Sequence, residues 1–143
     1  MIVVDASAAV KWFFVEERSV QARAILRAVL VGSENVVAPP LLVSEVVNAI
    51  RRRMFREALP LSEARQFVSA FLDVPKTLWS PDRLCILALE VAEEYNLPAA
   101  YDTQYVAAAE LLECTLWTAD ERLLRALGGR LSNVCPVAEY AAS

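Results

Sequence analysis

Four carboxylates stand at the seams of this chain, where a charge is hard to accommodate. Asp5 ends the apolar run Ile2-Val3-Val4, and Asp120 follows Cys114-Thr115-Leu116-Trp117-Thr118. Glu45 lies inside the oily segment Leu41 to Ile50, and Asp102 opens an alanine-rich stretch. Acidic side chains are seldom set against buried strands or within apolar helices unless something compensates their charge. A hard divalent cation such as Mg2+ or Mn2+ is one compensator able to serve all four, because such ions take oxygen ligands. The chain has no histidine, and its three cysteines form no CxxC pair, so a zinc site is excluded. A hard cation among carboxylates points towards phosphate chemistry.

Each acid also has an ordinary explanation. Asp5 and Ser7 are suited to capping a helix after the first strand. Thr118-Ala119-Asp120-Glu121 reads as a capping box, and Asp102 favours a helix start through the macrodipole. Glu45 resists such a reading best. On a helix it shares one face with Asn48 and Arg52, a narrow polar stripe among Leu41, Leu42, Val43, Val46, Val47, Ala49 and Ile50. Such a stripe suits the lining of a cleft; a buried Glu45–Arg52 pair is the alternative, about 10 Å apart along the axis.

The elements that must position these groups alternate between strand and helix. Ile2 to Val4 is a short, wholly apolar strand, the pattern of one covered on both faces. Asp5 to Glu17 follows, carrying Trp12-Phe13-Phe14, then a helix from Ser19, as its cap, to about Leu30. Gly32 to Asn35 turn into a second strand, Val36 to Ala38, stopped by Pro39-Pro40. A helix from Leu41 to about Arg56 ends in the basic run Arg51-Arg52-Arg53 and Arg56; Pro60 breaks it, and Ser62 to Asp73 form another. Lys76 to Trp79 reads as an edge strand. Asp82 to Tyr95 is a helix introduced by Ser80-Pro81, and after the Asn96-Leu97-Pro98 turn a helix runs from Ala99 to Glu113. Cys114 to Trp117 is a strand, Glu121 to Leu127 a helix terminated by Gly128-Gly129, and Val134 to Val137 a last strand. The pattern predicts an α/β sandwich around a parallel sheet of four or five strands. Ligands of such sheets bind beyond the carboxyl ends of the strands, so Asp5 and Asp120 are expected on one rim.

Composition bounds the rest. The 143 residues predict one domain, 1–143, and 57% hydrophobic content with only 3 glycines excludes a disordered or collagenous chain. No stretch approaches the ~18 apolar residues of a membrane span, and the early Asp5 argues against a signal peptide. The three cysteines, each in an apolar segment, read as reduced core residues of a cytoplasmic protein. A mean hydropathy of +0.37 is high; it predicts either an unusually full core or an exposed apolar surface for a protein partner. The net charge of −4 arises from 14 basic and 18 acidic residues, so without the four named acids the charges balance. An acidic chain of this kind is compatible with a nucleic-acid substrate. Arg51, Arg52, Arg53 and Arg56 suit phosphate, although a basic helix end is also favoured by the dipole. Trp12-Phe13-Phe14 fits a core plug or a partner pocket better than a platform for bases.

The opening Val4-Asp5-Ala6-Ser7-Ala8-Ala9-Val10-Lys11-Trp12-Phe13, with Glu16-Glu17 behind it, resembles the start of PIN-domain proteins, above all the toxin ribonucleases of VapBC toxin–antitoxin pairs. Three further segments match in order: Pro39 to Glu45 with Asn48, Ala100-Tyr101-Asp102-Thr103-Gln104-Tyr105-Val106-Ala107 with Ala109-Glu110, and Trp117-Thr118-Ala119-Asp120-Glu121-Arg122-Leu123. The resemblance spans the chain and implies a three-layer PIN fold and a metal-dependent endoribonuclease. It places Asp5, Glu45, Asp102 and Asp120 around one or two Mg2+ or Mn2+ ions, with Ser7, Asn48 and Thr118 in support, and Arg51 and Arg52 are the candidate substrate contacts. It implies hydrolysis to 5′-phosphate and 3′-hydroxyl ends, an RNA substrate, a cognate antitoxin and a homodimer. The alternative is a catalytically silent PIN-like module that only binds a partner or RNA. An aspartyl-phosphate phosphatase would need a second Asp where Ser7 stands and a lysine near the site, and Lys11 and Lys76 are the only lysines.

Overall fold

The computed structural model describes residues 1–141; the last two residues of the expected domain lie outside it. Its centre is a five-stranded sheet in the order β3-β2-β1-β4-β5, with every neighbouring pair parallel. The strands are β1 (Ile2–Val4), β2 (Val36–Ala38), β3 (Thr77–Leu78), β4 (Thr115–Thr118) and β5 (Val134–Pro136). Side chains alternate between the faces of a strand, yet both Val3 and Val4 have no exposed surface. Both faces of the sheet are therefore covered, which makes the fold a three-layer α/β sandwich and explains why β1 and β2 contain only apolar residues.

The connections are α1 (Ala6–Val10), α2 (Ser19–Leu30), α3 (Leu41–Glu57), α4 (Leu61–Asp73), α5 (Asp82–Glu94), α6 (Asp102–Leu111) and α7 (Glu121–Leu127), with a 3₁₀ turn at Val137–Glu139. The chain builds β1, β2 and β3 outward in one direction, then crosses back to lay β4 on the other side of β1. That reversal between β1 and β4 is a topological switch point, where the loops leaving the two strands diverge and open a crevice. The register pairs Val4 with Trp117, so the next residues on the two strands, Asp5 and Thr118, meet at its floor.

Several boundaries differ from the sequence expectation for local reasons. The helix expected from Ala99 begins at Asp102, because the bend through Ala99 to Tyr101 follows the Pro98 turn. Ser19 is the first residue of α2 rather than its cap; its hydroxyl donates to the Glu16 carbonyl and accepts from the Glu16 amide, fastening the preceding loop. Ser80 caps nothing, since α5 starts after Pro81 without a side-chain cap. Gly128 does terminate α7, at φ 59°, where a side chain would be strained. All three cysteines are free thiols; Cys114 is half-buried against the core, Cys135 is half-buried, and Cys85 is exposed. An apolar neighbourhood in sequence misplaces Cys85, because α5 turns it outward beside Ile86 and Leu89, which are 61% and 66% exposed.

Trp12 and Phe14 are buried and Phe13 partly so, which makes the aromatic triplet a core plug. Phe14 packs against Phe67 with centroids 4.5 Å apart, and Trp12 lies 6.5 Å from Phe71. The plug thus locks the end of α1 onto α4. The Trp12 indole N–H is buried without an acceptor, which costs desolvation with no return. Replacing Trp12 with Ala should therefore lower stability by about 3–5 kcal/mol, whereas Trp12→Phe, which removes the orphan donor and keeps a ring, should cost clearly less. Urea denaturation of the two variants distinguishes a plug from a solvent-facing pocket, where both changes would be nearly silent.

Candidate active site

A polar cleft of about 420 Å³ opens at the switch point, and all four acids line it. Each comes from a different element: Asp5 from the end of β1, Glu45 from α3, Asp102 from the first turn of α6, and Asp120 from the residue before α7. Ser7 and Asn48 line the same cleft. Thr118 is fully buried beneath it.

Asp5 is both a helix cap and a site residue. One carboxylate oxygen, Oδ1, accepts the Ala8 amide at 3.0 Å and the Ser7 hydroxyl at 2.6 Å, while Oδ2 accepts the Thr118 hydroxyl. Thr118 is thereby committed across the sheet and, as an acceptor, takes the Asp120 amide at 3.0 Å. The capping box read from Thr118 and Glu121 does not form. Asp120 caps α7 itself, accepting the Arg122 and Leu123 amides through Oδ1. Ser7 also ties the two loops together, its hydroxyl accepting the Ala119 amide at 2.8 Å.

Glu45 is half-buried and accepts a hydrogen bond on Oε2 from the Tyr105 hydroxyl. It makes no ion pair with Arg52, but that arginine stands close enough to favour its charged form. Tyr105, only 1% exposed, is the site residue that sequence reasoning left without a role. The available signal was its position three residues after Asp102, on the same face of α6. Burial and the neighbouring Glu45 carboxylate hold its phenol well above the usual range, so it remains a donor.

The electrostatics are those of carboxylates crowded together. Burial pushes Asp5 up to about 6, against the hydrogen bonds from Ser7, Thr118 and Ala8, and Asp120 adds repulsion. Burial also raises Asp102 and Glu45; Asp120 adds to the first shift and Asp102 to the second, while Arg122 and Arg52 respectively oppose them. Among the described residues no three acids stand close enough together to hold a metal ion as they are. Asp102, Oε1 of Glu45, Oδ2 of Asp120 and the second lone pair on Oδ2 of Asp5 nonetheless remain available around one cleft, and the donors are all oxygen. This set suits a hard divalent cation.

The basic residues divide between two surfaces. Arg52 lines the cleft, together with Arg53, Arg56 and Arg122. Arg51 does not; it borders an apolar groove between α3 and α4, because successive helical residues point about 100° apart. Glu16 also lines the cleft, bridging Lys11 at 2.9 Å and Arg53.

Asp5 ties stability to pH. Its carboxyl titrates near 6 in the fold and near 3.8 when unfolded, so between those values the folded chain binds the extra proton. In EDTA, stability falls as pH rises through this window, by up to about 3 kcal/mol. Asp5→Asn should consequently be more stable than the parent above pH 6 in EDTA, with the advantage shrinking towards pH 4. Thermal melts across that range check it.

Comparison with known proteins fits this geometry. Residues 2–128 match the PIN domain model. The chain is 32% identical over 123 residues to VapC ribonuclease Mb0985 of Mycobacterium bovis, covering 86% of this chain and 88% of that one. It is 32% identical over 128 residues to Ribonuclease VapC12 of Mycobacterium tuberculosis, covering 90% and 93%. Among solved structures, PAE2754 from Pyrobaculum aerophilum superposes with a TM-score of 0.69 at 22% identity, over 95% of this chain and 90% of that one; at that identity the likeness concerns the fold. With the match extending from β1 through α7 and its four acids gathered at the switch point, this chain belongs to the PIN-domain family, as a VapC-type member.

Proposed function

We propose that the protein is a metal-dependent endoribonuclease, the toxin of a type II toxin–antitoxin pair, acting in the cytoplasm and leaving 5′-phosphate and 3′-hydroxyl ends. The observation that carries the reading is the convergence of Asp5, Glu45, Asp102 and Asp120, from four separate elements, on one cleft in a chain whose relatives are named VapC ribonucleases. One or two Mg2+ or Mn2+ ions, when bound, would stabilise charge on the phosphodiester and acidify an attacking water. Asp5 and Asp102 are the leading candidates to hold the metal, with Asp120 and Glu45 completing the set. Thr118 and Ser7 keep the Asp5 carboxylate from rotating, and Tyr105 does the same for Glu45. Asn48, one turn after Glu45 on α3, adds a neutral polar group to the wall. With no histidine in the chain, acid–base cleavage through imidazoles and the RNA 2′-hydroxyl is closed.

A protein partner is part of the reading. The groove between α3 and α4, about 460 Å³, is lined chiefly by apolar side chains, among them Val47, Leu61 and Leu72, which are 40%, 60% and 52% exposed. This supports the expectation of surface reserved for an antitoxin, and the exposed Ile86 and Leu89 of α5 are compatible with a homodimer. Among the described residues no helix is long and apolar enough to cross a membrane.

Structured RNA incubated with the purified protein should be cut in Mg2+ or Mn2+ and remain intact in EDTA. Asp5→Ala and Asp102→Ala should lose at least about 100-fold in rate, and Thr118→Val about 10–100-fold as the support of a ligand. Equal cutting by parent and variants would reject the reading. A catalytically silent binding module is separated by a second measurement: saturating Mn2+ should raise the melting temperature of the parent and leave that of Asp102→Ala nearly unchanged.

A further inference from the structure

The three consecutive arginines of α3 have three different surroundings. Arg51 borders the apolar groove on the far side of the helix. Arg53 is only 15% exposed at its side chain; it pairs with Glu16 and, at 3.5 Å, with Glu57, and its guanidinium lies 4.0 Å from the Phe14 ring centroid. Its charge is matched, and Glu16 is held below the usual carboxylate range, burial notwithstanding, by Lys11 and Arg53. Arg52 and Arg56 are exposed, make no ion pair among the described residues, and stand one turn apart on the wall of the cleft. Across the cleft, at the start of α7, Arg122 is 84% exposed at its side chain, and its one acidic neighbour within ion-pair reach is Asp120, at 3.9 Å.

We infer that Arg52, Arg56 and Arg122 form a phosphate clamp that straddles the acidic floor and grips a single RNA strand on both sides of the bond to be cut, while Arg53 is a structural tie. This inference rests on the ribonuclease reading for its substrate class. The charged groups at the floor are carboxylates, which repel a polyanion, so the affinity for RNA has to come from the walls. Exposed guanidiniums that are unpaired, as those of Arg52 and Arg56 are among the described residues, or held only by a long 3.9 Å contact, as that of Arg122 is, offer planar donors matched to phosphate oxygens, whereas a guanidinium already paired and stacked, as Arg53 is, would have to break those contacts first. Two arginines one turn apart on α3 contact phosphates on one side, and the single Arg122 contacts one on the other. Because the contacts are to backbone phosphates, they set register without reading bases.

The test is equilibrium binding of a fluorescein-labelled, single-stranded RNA 20-mer of mixed sequence, followed by anisotropy in Ca2+ at several salt concentrations, with its intactness checked on a denaturing gel. Arg52→Gln, Arg56→Gln and Arg122→Gln should each weaken binding roughly three- to tenfold and reduce the slope of log K against log salt by about 0.7, one phosphate contact. Arg51→Gln should bind like the parent. Arg53→Gln should lower the melting temperature and keep the parental salt slope. The clamp is overturned if the three clamp variants keep the parental slope, if Arg51→Gln or Arg53→Gln loses as much slope as they do, or if the parent does not bind the RNA. Binding that depends on the three arginines supports it even should the same preparation fail to cut RNA in Mg2+, a result that would count against the ribonuclease reading alone.

Discussion

The structure is organised around a carboxylate buried at the end of its central strand. Asp5 sits where β1 and β4 part, beneath the surface, and the protein compensates its position with three donors: the Ala8 amide, the Ser7 hydroxyl and the Thr118 hydroxyl. Those bonds require a helix to begin immediately after β1 and β4 to end in register beside it. They also require the loop after β4 to turn sharply enough for Ser7 to reach the Ala119 amide. Even so, the carboxyl remains raised by burial, so the fold holds a group that is costly to ionise. Active sites concentrate such perturbed groups, and a divalent cation would relieve the cost.

Around this centre, the crossover from β3 back to β4 does the assembly. A parallel sheet built in one direction only would have placed the loops after β1 and β4 far apart. The reversal makes those strands neighbours and leaves a crevice that α3 and α6 both line. Glu45 and Asp102 arrive there on helices, whose rigidity fixes them better than loops would, and Tyr105 braces Glu45 from α6. The aromatic plug of Trp12 and Phe14 and the Glu16–Arg53 tie hold α1 and its following loop against α3 and α4. The cleft wall and the core thus share side chains, so a change in one should be felt in the other.

Much of this is legible in the amino-acid sequence itself. The wholly apolar runs Ile2 to Val4 and Val36 to Ala38 announced strands covered on both faces. Asp5 and Asp120 at strand ends announced the rim, and the stripe of Glu45, Asn48 and Arg52 announced a lined cleft. Local capping arguments were less dependable, because a hydroxyl such as that of Thr118 has several acceptors within reach and only packing chooses among them. Cys85 was misplaced for a related reason: an apolar neighbourhood in sequence does not say which side of a helix faces inward.

By itself, then, the sequence determined the kind of sheet, the order of its elements and the identity of the four acids, since these follow from short-range patterns of apolarity and charge. Only the tertiary structure decided what each side chain is paired with. It put Tyr105 on Glu45 and Thr118 on Asp5, sent Arg51 to an apolar groove, and locked Arg53 against Glu16 and Phe14 while leaving Arg52 free. The physical reason is that neighbours in the chain diverge by about 100° on a helix, whereas residues 60 and 113 positions apart are brought within hydrogen-bond reach by the sheet crossover.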